Sequence, residues 1–496
     1  MKKILGVFLL TSIMFSACKK DLASLNNDPK NPSIVPSYAL FTDAQRRLTN
    51  TVTSSNVNLN IFRLIEQQWQ ETTYTDESNY DITTRPIPDD IWNALYRDVL
   101  YNFERTKTLI PTDVTGADVQ KNEITVTDIM QVYTYYYLVT TFGDIPYTDA
   151  LDISKPFPRF DDAKTVYYTL LTRLDADIAA LNTGAASFGS ADVIYGGDVT
   201  KWKKFAATLK LKMGVTIADF DNAKAKSVVE AAVATGVFTS NADNAQFQYL
   251  SSPPNTNPIW VDLVQSQRQD FVACSTVMGF LQPVNANGTP KFPADPRLPY
   301  YFTVNNLTDN VYAGADPGVS ATFSLFSKPS GPLLMEKSIG SITNPDFPGL
   351  LLDYSETEFN LAEAVSRGYT VTGTVAGHYN SGVTASVNYW GASPAAAASY
   401  LLQPNVAFAT ATGSSDLQKI AVQKYLALYN RGWDAWIETR RLDYPVLTAP
   451  STALTAFPVR LTYPVNEQNV NVTNYNKAAA AIGGDAVTTK LFFDKN

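Results

Sequence analysis

The chain has 496 residues, 45% hydrophobic and 17% charged, a balance that belongs to a folded, core-forming protein and excludes disorder. The length fits two or three average domains, or one large helical array with a long elaboration. Thirty-nine cations against 47 acidic residues leave a net charge of −8, which argues against a nucleic-acid partner, because phosphate binding needs clustered cations.

Met1 to Ala17 reads as an export leader: Lys2 and Lys3, an apolar run from Ile4 to Phe15, then the small residues Ser16 and Ala17 before Cys18. The run is too short to span a bilayer as a helix. Removing it leaves 37 cations against 47 acids, or −10. Small residues directly before a cysteine are what bacterial lipoprotein processing recognises, so Cys18 is the expected acylated amino terminus. More than one acyl chain gives a stable anchor, since each buried methylene contributes about 0.8 kcal/mol. With Cys18 acylated, Cys274 stands alone, and its neighbours Phe271, Val272, Val277 and Met278 predict a buried thiol. Residues 18–36 carry Pro29, Pro32 and Pro36 and predict an extended tether.

Helical periodicity follows at about 37–50, 60–73, 89–110, 124–141, 161–181, 201–219 and 222–235. The segment at 124–141 has the clearest start and stop. Ile129, Met130, Tyr133, Tyr136, Tyr137 and Thr140 recur at three- and four-residue spacing, which predicts one apolar and aromatic face, read as core. Thr125 or Thr127 is the expected cap, and Gly143 with Pro146 ends the helix in a fixed loop, Phe142-Gly143-Asp144-Ile145-Pro146-Tyr147.

From 241 to 350 the composition shifts: 13 of the chain's 28 prolines fall there and no long helical pattern does, which predicts short helices, strands and shaped loops. Helical patterns return at 354–367, 376–389, 416–429 and 433–441. Asn360 to Ala364, a break at Gly368, then Ala376, Tyr379, Gly382 and Ala385 show the small and large alternation of a tetratricopeptide-like pair. Short links between successive helices predict antiparallel hairpins. Trp433, Trp436, Ile437 and Arg440 share a face that packs, Gly432 marks the end of the preceding helix, and Arg440 and Arg441 complement the dipole of the last turn.

No phosphate-binding glycine loop, nucleophile elbow or cysteine–histidine metal spacing is present. The one histidine, His378, lies in a predicted repeat helix, which leaves a histidine-dependent triad without its base. No catalytic residue, cofactor or metal ligand is assigned. Paired carboxylates for glycoside hydrolysis stay open, because 47 acids offer many pairs and sequence gives no separation.

Five segments carry a resemblance. They are ACKKDLASLNNDPKNP from Ala17, the tyrosine-rich helix ending in FGDIPY at 142–147, KWKKFAATLKLKM from Lys201, YSETEFNLAEAVSRG from Tyr354, and QKYLALYNRGWDAWIETRRLDYP from Gln423. In this order they resemble the SusD/RagB family of outer-membrane nutrient-binding lipoproteins. The resemblance implies a mainly α fold, a tetratricopeptide-like helical-hairpin array at about 37–240 and 351–445 with a loop-rich, Pro-rich elaboration at 241–350, all within one domain spanning 37–496. It also implies a lipid-anchored protein of the outer membrane, facing the cell exterior, which captures an oligosaccharide and passes it to a SusC-like TonB-dependent transporter. Lys19-Lys20-Asp21 resembles the family's surface-display signal only loosely, and Tyr425 stands where the family more often has tryptophan. A peptide ligand, a secreted glycan hydrolase and a scaffold lipoprotein are the alternatives.

The family has no ligand motif to carry over, so the ligand residues rest on chemistry. Sugars pack apolar ring faces on Trp or Tyr and hold hydroxyls with polar side chains. Two stretches outside the predicted core fit: Gln67 to Tyr80 with Trp69, Tyr74 and Tyr80, and Trp260 to Phe271 with Trp260, Arg268 and Asp270. Each also reads as a packed loop anchor.

Overall fold

The tyrosine-rich segment is the axis of the molecule. In the computed structural model, which describes residues 35–305, 311–330 and 341–495, it is one helix, Ala117–Phe142. The helix begins seven residues before the periodicity predicts, because Ala117 to Glu123 contains no breaker and the positive-φ Gly116 turns the chain in front of it. Thr125 and Thr127 are therefore not caps. Their hydroxyls donate to the carbonyls of Lys121 and Glu123, each at 2.7 Å, inside the helix. The helix stops where expected. Gly143 has φ +90°, and a Cβ there would come within 2.9 Å of Leu491.

A single apolar face was the expectation, but from Ile129 to Phe142 the helix is buried on every side. Its polar tips are satisfied by distant partners. The Tyr133 hydroxyl donates to the Leu351 carbonyl at 2.7 Å, and the Tyr137 hydroxyl to Asp434 at 2.7 Å. A tyrosine buries a large ring and needs only one acceptor, so a tyrosine-rich helix can be surrounded where a lysine-rich one cannot.

Around this axis the helices pack as hairpins: Ala117–Phe142 with Ala163–Ala180, Val199–Thr216 with Asn222–Thr235, Tyr354–Ser366 with Val375–Tyr389, and Asp416–Ala427 with Gly432–Leu442. The molecule is mainly helical, as the patterns predict. Side-chain N-caps at Asp162, Asp198, Asp221, Asp353, Thr374 and Ser415 each accept a backbone amide, which gives these helices defined starts. Among the described residues no helix is long and apolar enough to cross a membrane.

Charge is buried where the hairpins meet. Lys212, 1% exposed, contacts Glu356 at 2.7 Å and also Asp434. Arg431 contacts Asp353 at 3.1 Å, Glu356 at 2.8 Å and Asp434 at 2.7 Å. Arg441 pairs with Glu363 at 2.6 Å and Glu438 at 2.5 Å. Arg441 is therefore no surface cation answering a helix dipole, and neither is Arg440. The Arg440 guanidinium lies 3.5 Å over the Trp436 ring and donates to the carbonyls of Val459 and Thr140. With no carboxylate in direct contact among the described residues, burial lowers the Arg440 pKa to about 9. Gly432 begins the last hairpin helix instead of ending the preceding one. A Cβ at Gly432 would lie 2.5 Å from the Arg63 amide, so the position is held by close backbone approach.

Between 241 and 350 the described helical runs have at most eight residues, as proline density predicts. Asp295 and Arg297 form a buried pair at 2.6 Å that ties this region to Ser386 and Gln423 of the hairpins. Cys274 is buried and free, its thiol pushed up to about 11 by burial. His378 bridges Glu358 at 2.6 Å and the Thr372 carbonyl at 2.8 Å, a structural role.

Candidate functional site

The helical pattern at 60–73 resolves differently from expectation. Only Phe62–Ile65 is helix, and after Gln67, at φ +51°, the chain extends as β1, Trp69–Glu71. Tertiary pairing overrides the periodicity here: β1 is antiparallel not to the next strand, β2 at Ala245–Phe247, but to β3, Phe271–Ala273, with Trp69 opposite Ala273 and Glu71 opposite Phe271. The ladder runs on as Thr72 donates its amide to the Asp270 carbonyl at 2.9 Å and its hydroxyl to the Gln269 carbonyl at 2.6 Å. This pairing joins the two stretches that sequence chemistry singles out.

Beyond the ladder they enclose a cavity of about 200 Å³, lined by Glu71, Thr73 and Tyr74 from one stretch, Asp262, Arg268, Asp270 and Phe271 from the other, and Ser55 to Asn58 and Arg85 at its sides. Tyr74 is 79% exposed and sits at φ +50°. A bulky residue in the left-handed region costs roughly 1–2 kcal/mol, so the loop holds this ring outward against its backbone preference.

Three of the six expected ligand residues, Tyr74, Arg268 and Asp270, line the cavity. Trp69 and Tyr80 are 2% and 1% exposed and belong beneath it. The Trp69 indole donates to the Tyr429 hydroxyl at 3.1 Å, with the Arg63 guanidinium 4.9 Å over its ring. Tyr80 accepts from Gln67 at 3.0 Å, and burial pushes its hydroxyl up to about 12. Rings so enclosed serve as packing anchors and cannot meet a ligand. Trp260 is half-buried on the turn Pro258–Trp260 and does not line the cavity. Asp262, two residues on, does. Sequence reasoning passed over Asp262 and Glu71 inside the stretches it quoted, and missed Arg85 and the Ser55–Asn58 turn altogether. The asparagine-rich run Ser54 to Asn60 was the available signal.

The lining mixes donors and acceptors. Asp262 accepts from the Ser55 hydroxyl at 2.8 Å, and burial raises its pKa. Arg268 reaches Asp270 at 2.9 Å in an exposed pair of little energetic weight. Burial and the neighbouring Glu77 push Glu71 up to about 9, so at neutral pH its carboxyl is an acid that can donate. Alternating donors and acceptors beside an exposed ring suit a polyol.

Two other hollows lack this character. One of about 630 Å³, beside the Gly143 loop, is lined by charges already paired: Lys107 and Arg173 to Asp128 at 2.9 and 2.6 Å, and Gln131 to Glu104 at 3.1 Å. The other, about 370 Å³, is an apolar groove of Trp92, Tyr96, Tyr101, Pro146 and Leu151 with few polar groups to orient a ligand.

The family model described as starch-binding associating with outer membrane matches residues 29–464. Among solved structures, a chitin-binding protein is 25% identical with a TM-score of 0.75, the match covering 93% of this chain and all of the other. A SusD homologue from Parabacteroides distasonis is 21% identical with a TM-score of 0.79, over 93% of this chain and 98% of that one. A chitin-binding SusD homologue from Flavobacterium johnsoniae is 22% identical with a TM-score of 0.75, over 92% and 99%. No curated protein matches the chain. With most of its length matched by the family model and the same fold in its structural neighbours, the chain belongs to the SusD/RagB family of starch-binding proteins that associate with the outer membrane.

Proposed function

We propose that the protein is a cell-surface lipoprotein that captures an oligosaccharide at the Tyr74 cavity and passes it to a TonB-dependent transporter, without cleaving it. The observation that carries the reading is the β1–β3 pairing, which sets an exposed ring held at φ +50° beside Arg268, Asp270 and Asp262. Sugar faces stack on such a ring, and hydroxyls bridge such groups. Delivery to a transporter and outward display are the parts of this reading that family membership supports. Two of the structural relatives are chitin-binding, so chito-oligosaccharides are the first ligands to try, followed by malto-oligosaccharides and then peptides.

Calorimetric titration tests the site. Tyr74→Ala is expected to weaken binding by about 1 kcal/mol or more while leaving the melting temperature nearly unchanged, because the ring is exposed. Tyr136→Ala is the control, expected to cost about 3–5 kcal/mol of stability as a buried ring is truncated. Full affinity in the Tyr74 variant would move the site elsewhere. Release of reducing ends, abolished by one change among Glu71, Asp262 and Asp270, would replace the binding reading with a hydrolase.

Cys18 and the leader lie outside the described residues, and acylation at Cys18 is the anchor proposed here. Cys18→Ala is expected to shift the protein from the membrane to the soluble fraction on cell fractionation. Unchanged membrane association would remove the anchor.

A further inference from the structure

The loop that carries Tyr74 is bounded by two acids. Glu71 ends β1, Glu77 opens the turn Glu77–Asn79, and Thr72 to Asp76 arch between them. Both carboxyls are buried, at 4% and 0% exposure, and lie within hydrogen-bonding reach of one another. Glu71 also accepts from the Ser78 amide at 2.9 Å. Apart from the ion pair that Arg85 makes with one of them, the Glu77 carboxyl oxygens have no hydrogen-bond donor among the described residues. The cation beside them is Arg85, 3.0 Å from Glu77, and it is shared with Asp76 at 3.8 Å. Across the cavity, Asp270 is paired with Arg268 and Asp262 with Ser55, so neither cation nor hydroxyl there is left for the pair. Among the described residues no lysine or histidine lines the cavity.

One guanidinium can balance one negative charge, and two ionised carboxylates at this spacing would repel at the base of the loop. A donor for the Glu77 oxygen that Arg85 does not reach is supplied if Glu71 keeps its proton. We propose that Glu71 and Glu77 form a proton-operated clasp, which holds the Tyr74 loop closed while they share one proton and opens it when that proton passes to solvent. Burial, then the charge of Glu77, raises Glu71, and burial likewise raises Glu77, so opening belongs to alkaline pH. The effect of the clasp on capture rests on reading Tyr74 as the platform; the test below contains no ligand, so the two readings fail separately.

Hydrogen exchange of the amides from Thr72 to Tyr80, corrected for the intrinsic rate, reads the loop directly, with the amides of Ile129 to Phe142 as the reference. In the wild type, loop protection is expected to fall about tenfold or more between pH 7 and 10 while the reference stays protected. In Glu71→Gln the amide donates permanently to Glu77, and loop protection should stay level across the range. Glu77→Gln supplies the donor from the other side and is expected to behave alike. Constant loop protection in the wild type, loss that only tracks the reference, or the same alkaline loss in both glutamine variants would overturn the clasp.

Discussion

Replacing Lys212 with methionine is expected to remove about 3–5 kcal/mol of unfolding free energy, read from urea titration, although neither Lys212 nor its ion-pair partners line the cavity. Lys212 and Arg431 are the cations among three buried acids, Glu356, Asp434 and Asp353. Burial alone would lower the lysine pKa, but Asp434 and Glu356 outweigh it and hold the ammonium charged. The same cations hold Glu356 well below the usual carboxylate range, against its own burial. Methionine keeps most of the volume, so the loss is electrostatic: three buried carboxylates would be left in contact with one guanidinium. Reducing the excess negative charge should recover part of the loss, and Lys212→Met with Asp434→Asn is expected to be more stable than Lys212→Met alone. A single variant within about 1 kcal/mol of wild type would show that the network contributes little.

The second large effect is on pH. Thermal stability is expected to be greatest near pH 5 and to decline steadily toward pH 9. Burial raises Asp144 to about 6, Glu123 to about 7, Glu66 and Asp177 to about 8, and Glu71 to about 9. An acid raised in the fold contributes stability that is fully present below its unfolded pKa and is lost as pH rises through its folded value. For these five the window runs from about 4 to 9. Glu363 works in the opposite sense. Arg441 and Arg367 outweigh its burial and hold it at about 2, so its contribution is present above its unfolded pKa and lost as pH falls toward 2. Melts from pH 3 to 10 check the profile, and Glu66→Gln, which removes one titrating group, should flatten the alkaline slope. A melting temperature that rises between pH 5 and 9 would contradict the assignment.

The helical hairpins were legible because their signals are local. Gly143 and Pro146 stop the central helix whatever surrounds it, and three- and four-residue spacing marks the helices themselves, although the cap expected at Thr125 or Thr127 lies inside the helix. Burial on all sides was not legible from the Tyr133 to Tyr137 run, since a tyrosine reads as half polar until its acceptor is known, and the acceptors lie at Leu351 and Asp434. Arg441 misled for the same reason: its partner Glu363 is distant in sequence and looks from its own segment like a surface acid. In the cavity, composition found the two stretches but could not rank their rings. Trp69 and Tyr74 stand five residues apart among similar polar neighbours, and only the pairing of β1 with β3 puts one inside and the other out.

That pairing joins segments about 200 residues apart, so no contiguous fragment short of both strands contains the cavity. A chain shortened from either end past Trp69 or Ala273 is expected to keep hairpins that form from neighbouring helices, yet it carries only half of the proposed binding surface. If the ligand sits at the Tyr74 cavity as proposed, binding is a measure of completed long-range closure, and a preparation that retains full helix content by circular dichroism but does not bind is expected to lack the β1–β3 contact.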